Sequence, residues 1–115
     1  MRYFTLDEFE CSCCQENEMK EEFLERLDEA RALSSVPFVI TSGYRCPEHN
    51  KAIGGVTGSS HTKGWAADIA CPSSRHRWNI ISSLIAAGFD RIGVSDGFVH
   101  VDYDPDKLVD LIWTY

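Results

Sequence analysis

Hydrophobic and polar positions follow two different periods along this chain, and the switches between them mark its elements. From Glu18 to Ala32, Phe23, Leu24, Leu27 and Ala30 recur at three- and four-residue steps with charged residues between them. That spacing predicts an amphipathic helix, with Pro37 shortly after it as a stop. Upstream, Thr5 with Glu8 three residues on is the capping-box pattern, which predicts one helical turn over Phe4–Phe9 with its aromatic rings folded back onto the core. Phe38-Val39-Ile40-Thr41 is rich in strand formers and predicts a buried strand. Pro47 suits the first position of a short helix running to about Ile53. Gly54 to Ser60 has the composition of a flexible loop. Trp65 to Ala70 reads as a strand, and Ser73 or Ser74 caps a second amphipathic helix reaching Ala87, with Gly88 at its C-cap. Arg91–Val94 and Phe98–Tyr103, joined by Ser95-Asp96-Gly97, form a hairpin. Leu108–Tyr115 fits a last strand or a short helix equally well. Strands and helices segregate unevenly, so the fold class is α+β, a small antiparallel sheet with helices packed on it.

No internal repeat, low-complexity tract or Pro/Gly-rich linker interrupts this pattern, and 115 residues suit one domain over residues 1–115. Hydrophobic residues make up 43% and charged residues 25%, the balance of a soluble globular chain rather than a disordered tail. Eleven basic residues against 18 acidic ones leave a formal charge of -7, which disfavours nucleic acid and anionic membrane as partners. Met1 to Asp7 carries no apolar signal region, and no apolar run approaches the ~20 residues that span a bilayer.

Candidate chemistry concentrates in two stretches. In Ser60-His61-Thr62-Lys63-Gly64-Trp65-Ala66-Ala67-Asp68, His61 and Asp68 can reach one metal only if the chain doubles back, and Gly64 is placed to let it turn. Asp68 is an acid inside an apolar strand, where it needs a cation or several donors to offset its desolvation. In Phe98-Val99-His100-Val101-Asp102, alternation puts Phe98, His100 and Asp102 on one face and the two valines on the other. Two histidines and one carboxylate with a position open for water are a catalytic zinc set. Such a metal lowers the pKa of its water to about 7 and polarises a carbonyl. Each residue alone has a plainer reading: His61 a loop imidazole, His100 a half-buried strand histidine, Asp68 a partner of Arg45, Arg45 a surface partner of Glu48.

Taken together, Ser42-Gly43-Tyr44-Arg45, the run from Ser60-His61 to Asp68, and Phe98-Val99-His100-Val101-Asp102 resemble, in the same order, the zinc D-alanyl-D-alanine carboxypeptidase and L-alanyl-D-glutamate endopeptidase family. The resemblance covers about Phe4 to Tyr103. It implies the hedgehog/DD-peptidase fold, a bound Zn2+, His61, Asp68 and His100 as its ligands, and Arg45 as the residue that holds the scissile carbonyl oxygen or a substrate carboxylate. It also implies hydrolysis of amide bonds in peptidoglycan stem peptides by a monomer. The better-defined branches carry an acid three positions before the last ligand, and here that position is Gly97. Asp96, in the turn, and Asp102, on the strand face of His100, are the two candidates for the general base, and alternation favours Asp102. Asp102 can equally be an orienter of His100. The missing acid at Gly97 supports an alternative, a catalytically inactive zinc-containing module that binds cell wall or is structural. A metal-free structural domain, with Asp68 paired to Arg45, is the third reading. Without a signal peptide, the expected route is cytoplasmic synthesis with phage-type release to the cell wall.

Five cysteines, at 11, 13, 14, 46 and 71, are an odd number and point to reduced or metal-bound thiols. Cys11-Ser12-Cys13-Cys14 is dense enough to bind metal together with Cys46 or Cys71, but inert buried thiols are the favoured expectation. His49 and His76 read as solvated helix positions. Trp65 and Tyr44 fit either the substrate cleft or the core.

Overall fold

The apolar stripe Phe23, Leu24, Leu27 and Ala30 enters one core in the computed structural model, which describes residues 1–115. The elements run α1 (Glu21–Leu33), β1 (Ile40–Ser42), α2 (Pro47–Ala52), β2 (Ala66–Ala70), α3 (Ser74–Ala86), β3 (Arg91–Val94), β4 (Phe98–Asp102) and β5 (Leu111–Thr114). Short 3-10 turns stand at Leu6–Phe9 and Ser60–Lys63. The first is closed as expected, with the Thr5 N–H donating to Glu8 Oε2 at 2.7 Å.

Helix α1 begins at Glu21 rather than Glu18 because the preceding backbone is committed elsewhere. The Met19 N–H donates to Asn17 Oδ1 at 3.0 Å, and the Lys20 N–H donates to the Gly64 carbonyl at 2.9 Å. Helix α3 starts where Ser73 Oγ accepts the His76 N–H at 3.2 Å. It ends in a Schellman motif, Phe89 N–H to Leu84 O and Gly88 N–H to Ile85 O, both 3.0 Å.

The sheet order is β1-β2-β4-β3-β5. Three of its pairings are antiparallel, but β5 runs parallel to β3, with Arg91 opposite Leu111 and Gly93 opposite Trp113. The sheet is therefore mixed, not purely antiparallel. The reason is topological: β4 already lies between β2 and β3, so the chain leaving Asp102 returns on the outer side of β3 and runs in its direction. The ambiguous C-terminal segment is thus a strand. Strand β1 is also shifted from the expected Phe38–Thr41, because Phe38 is drawn into the core while the Val39 carbonyl still accepts from the Ala70 N–H at 2.8 Å.

Helices α1 and α3 cover one face of the sheet, where Ala67, Ile69, Ile92, Val99 and Val101 meet Leu27, Ile80 and Leu84. Each of the larger side chains contributes roughly 1.5–3 kcal/mol by leaving water. The opposite face is free of helices and carries the polar members of the same strands. Because side chains alternate strictly in a strand, the register that buries the valines of β4 also fixes where Phe98, His100 and Asp102 point.

Gly64 ends the second 3-10 turn at φ +79°, and a Cβ there would lie 2.0 Å from the Glu18 carbonyl oxygen. Gly64→Ala is therefore expected to destabilise by at least the about 1–3 kcal/mol that a strained left-handed residue costs, read as a lower midpoint in chemical denaturation. An unchanged midpoint would show that the 18–20 segment is free to move away.

Candidate metal centre

The second 3-10 turn, two strands and the turn after β1 converge on the free face of the sheet. Asp68 on β2 is directly opposite His100 on β4, and Ser42 of β1 is opposite Asp68 on its other side. His61 arrives from the turn after the glycine-rich loop, which Ser59 opens by accepting the His61 N–H at 3.3 Å. That turn was not legible as structure in the sequence, whose glycine and serine content suggested a loop through Ser60.

One oxygen, Asp68 Oδ1, lies 2.9 Å from His100 Nδ1 and 3.3 Å from His61 Nε2. The ligand atoms of the three residues all lie within 4.8 Å of one another, and all three side chains are buried. The far nitrogen of each ring is already held. His61 Nδ1 is 2.8 Å from the Gly43 carbonyl oxygen, which can only accept, so Nδ1 carries the proton. His100 Nε2 is 2.8 Å from Asp102 Oδ2, which accepts its proton. In the neutral rings the two nitrogens facing Asp68 are then bare lone pairs. Two lone pairs and a carboxylate oxygen at one point need a cation between them, a proton or a metal. A ring nitrogen held by a carbonyl or carboxylate while the other is presented bare is how histidines are oriented toward a metal, so the donor set fits zinc.

Gly43 makes this possible. A Cβ there would lie 2.6 Å from the Phe9 Cα and carbonyl oxygen, and the Tyr44 N–H donates to that same carbonyl at 2.8 Å. The strand end is thereby held against the N-terminal segment with its own carbonyl free for His61.

Arg45 donates from Nη2 to Asp68 Oδ2 at 3.3 Å, from Nε to Ser42 Oγ at 3.1 Å and from Nη1 to Asn50 Oδ1 at 3.4 Å. Its partner is Asp68, not Glu48, and it lines the cleft with donors to spare. Burial by itself would raise the Asp68 carboxyl, but the hydrogen bonds and charges of His100 and His61 hold it well below the usual carboxylate range. Burial likewise opposes the charge of His100, and the hydrogen bonds to Asp102 and Asp68 overcome it, so its pKa is raised.

Asp102 is 1% exposed and both of its oxygens are engaged, Oδ2 by His100 and Oδ1 by Arg91 Nε at 2.5 Å. Burial would raise its pKa, but those two partners lower it. The geometry thus makes it an orienter of His100 more than an acceptor awaiting a water proton. Asp96 is not brought to the site: it is exposed in the β3–β4 turn and lines a separate pocket with Val39, Cys71 and His76. The structure therefore does not bring together Asp96 and the cluster of His61, Asp68 and His100.

The cleft over these residues has a volume of about 410 Å³ and is also lined by Phe98, Trp113 and Tyr115. Trp113 lies beside His100 with its ring tilted by 51° and the centroids 5.5 Å apart, across Gly93, whose missing side chain leaves it room. Trp65 packs on the core side with Tyr103, and Tyr44 is buried with its hydroxyl donating to Glu18 at 2.7 Å, so neither lines the cleft. His49 and His76 are half-buried. Sequence reasoning also missed Asp104. It is buried, accepts from Ser60 Oγ at 2.8 Å and Lys63 Nζ at 3.2 Å, and so ties the His61 turn to the segment after β4. Its signal was the alternation His100, Asp102, Asp104, carried one step past Tyr103.

Among known families, that described as peptidase M15 matches residues 2–102. The chain belongs to the peptidase M15 family. No curated protein matches it.

Two outcomes follow from the hydrogen bonds around His100. Asp102→Asn is expected to weaken zinc binding about 10–100-fold, measured by competition with a chromophoric chelator; unchanged affinity with lost turnover would instead assign Asp102 to proton transfer. In chelator-treated protein, His100 has its pKa raised above 6.5, so its contribution to stability is complete below that value and fades as pH rises through the raised one. Asp68 and Asp102 are depressed and lose theirs only in acid. The lowered Cys11 thiol, at about 6, works in the opposite direction over the same range, so calorimetry at about pH 5 and pH 8 should give a Tm margin that favours the lower pH more in the unchanged protein than in His100→Gln. An equal margin in both proteins would remove His100 from the account.

Proposed function

We propose that this member of the peptidase M15 family is a zinc metallopeptidase that hydrolyses amide bonds in peptidoglycan stem peptides, of the D-alanyl-D-alanine carboxypeptidase or murein endopeptidase type. The observation that carries this reading is the meeting of His61 Nε2 and His100 Nδ1 at one oxygen of Asp68. His61, Asp68 and His100 would hold the ion. When bound, zinc supplies a Lewis acid for the scissile carbonyl and acidifies water toward neutral pH.

The chain's own residues supply the rest. Asp102 and the Gly43 carbonyl fix the two rings, so the ligand set is arranged before the metal arrives. Arg45, held by Ser42, Asn50 and Asp68, keeps N–H donors for a substrate carboxylate or for the oxyanion of the tetrahedral intermediate. Arg45, Arg91 and Lys107 outnumber the carboxylates of Asp68 and Asp102 in the cleft, an excess of positive charge in a chain whose formal charge is -7. That local reversal favours a substrate bearing carboxylates, as stem peptides do. Phe98, Trp113 and Tyr115 offer apolar wall to the peptide's alanyl side chains.

A second reading, a catalytically inactive zinc-containing module that binds cell wall, is favoured by one observation: Asp96 is outside the cleft and both oxygens of Asp102 are engaged. Zinc-loaded protein incubated with peptidoglycan, followed by mass spectrometry of the soluble fragments, separates the two. Release of D-alanine or of cleaved stem peptides, lost by at least 100-fold in His61→Ala and His100→Ala, is the expected result. Retention on peptidoglycan with no fragment released would overturn the peptidase reading in favour of the binding module.

A further inference from the structure

Away from the cleft, a second cluster of metal-ligating side chains lies where the N-terminal segment meets the turn after Arg45. Sγ atoms of Cys11, Cys13, Cys14 and Cys46 all lie within 4.8 Å of one another. Cys13 is 3.5 Å from Cys11 and 3.3 Å from Cys46, sulfur to sulfur. We infer that these four cysteines form a second metal centre, a closed tetrathiolate site for a structural zinc ion.

Four sulfurs about 2.3 Å from a tetrahedral zinc stand about 3.8 Å apart along each edge. The two short separations, 3.5 and 3.3 Å, fall a few tenths of an ångström below that value and no sulfur pair exceeds 4.8 Å, so the ion needs only small movements of side chains to be enclosed. Two backbone donors already face sulfur, the Cys46 N–H toward Cys11 Sγ and the His49 N–H toward Cys46 Sγ, both at 3.4 Å. Such N–H groups offset the charge of a metal-bound thiolate. The chain after Cys11 is folded back on itself, the Gln15 N–H reaching the Cys11 carbonyl at 2.8 Å and the Cys11 N–H reaching the Glu16 carbonyl at 2.7 Å. Gln15 takes φ +61° in this loop.

The donors are all sulfur, a soft set that selects zinc over magnesium or calcium. With four protein ligands no position is open to water, so the site is structural and not catalytic. Cys71 takes no part; its sulfur is in the main core and donates to the Ser73 carbonyl at 3.5 Å. Binding exchanges four thiol protons for one Zn2+, and the protons pass to solvent. Cys46 directly follows Arg45, so the ion would tie residues 11–14 to the backbone that carries the cleft arginine. The expectation of inert buried thiols does not suit this geometry, since Cys13 and Cys14 are exposed at the surface beside two buried partners.

The test uses the whole chain, expressed with zinc and, separately, with cobalt. Elemental mass spectrometry is expected to find two zinc ions per chain, one remaining in His61→Ala and one in Cys13→Ser/Cys14→Ser, whose changes sit at exposed positions. Cobalt-loaded His61→Ala is expected to keep the intense near-ultraviolet sulfur-to-cobalt charge-transfer bands, which a histidine and carboxylate site cannot give. Those bands need no cysteine variant to fold. One metal per chain that vanishes in His61→Ala, with Cys13 and Cys14 alkylated by iodoacetamide in the native protein, would overturn the thiolate site and leave the cleft site standing. An intact mass lowered by a Cys13–Cys46 disulfide would overturn it as well. Metal retained in His61→Ala but lost in the cysteine variant supports it whatever the fate of the peptidase reading.

Discussion

In their neutral forms both imidazoles turn a bare nitrogen to Asp68 Oδ1, and three such atoms stay together only around a cation, whether a proton or a metal ion. Most of what surrounds them exists to hold them there. The Gly43 carbonyl and Asp102 fix the proton on the far side of each ring. Arg45 takes the other oxygen of Asp68, so the carboxylate presents one oxygen and not two to the centre. Arg91 keeps Asp102 ionised and itself donates to the Leu108 carbonyl, which anchors the connection into β5. A network of this kind is stable only when complete, because each member's desolvation is offset by its neighbours.

The sheet supplies the precision. Ser42, Asp68, His100, Gly93 and Trp113 form one row across all five strands, each opposite the next. On the opposite face the neighbouring positions are Ala67, Ile69, Ile92, Val99 and Val101, sealed by α1 and α3. A slip of one residue in β4 would turn its valines to water and His100 into the core, so the hydrophobic face fixes the register of the polar one. His61 cannot be placed by this row, since it comes from a loop. It depends instead on Gly64 turning the chain, on Lys20 binding the Gly64 carbonyl, and on Asp104 holding Ser60 and Lys63.

This division explains what could be read from the sequence. Alternation gave the face of His100 and Asp102, an acid among apolar residues marked Asp68, and proline, serine and glycine marked the ends of α2 and α3 correctly. Order and spacing of the motifs carried the family resemblance, which the match over residues 2–102 upholds. Contacts made by segments distant in the chain were not legible. The start of α1 moved because Gly64, far along the sequence, captured the Lys20 N–H. The parallel pairing of β5 follows from the place β4 occupies, which no local pattern encodes. Asp96 looked like a candidate because it stands four residues before His100, but sequence distance does not measure which end of a strand faces the cleft.

Arg45 shows how the two clusters of ligating side chains are joined. Its guanidinium belongs to the cleft, while the next residue, Cys46, belongs to the thiol cluster and begins α2. A long, flexible side chain loses considerable entropy when it is held in one place, and three acceptors of modest strength at 3.1–3.4 Å offset that loss only if their positions are fixed. Ser42 and Asp68 are fixed by the sheet. Asn50 is on α2, whose six residues are too few to be stable alone. Its anchorage comes from Cys46 at its start and from the Gly55 N–H and Val56 carbonyl bonded to Asn50. Whatever fastens Cys46 to the N-terminal segment therefore also limits the freedom of Asn50, and through it the guanidinium that faces the substrate.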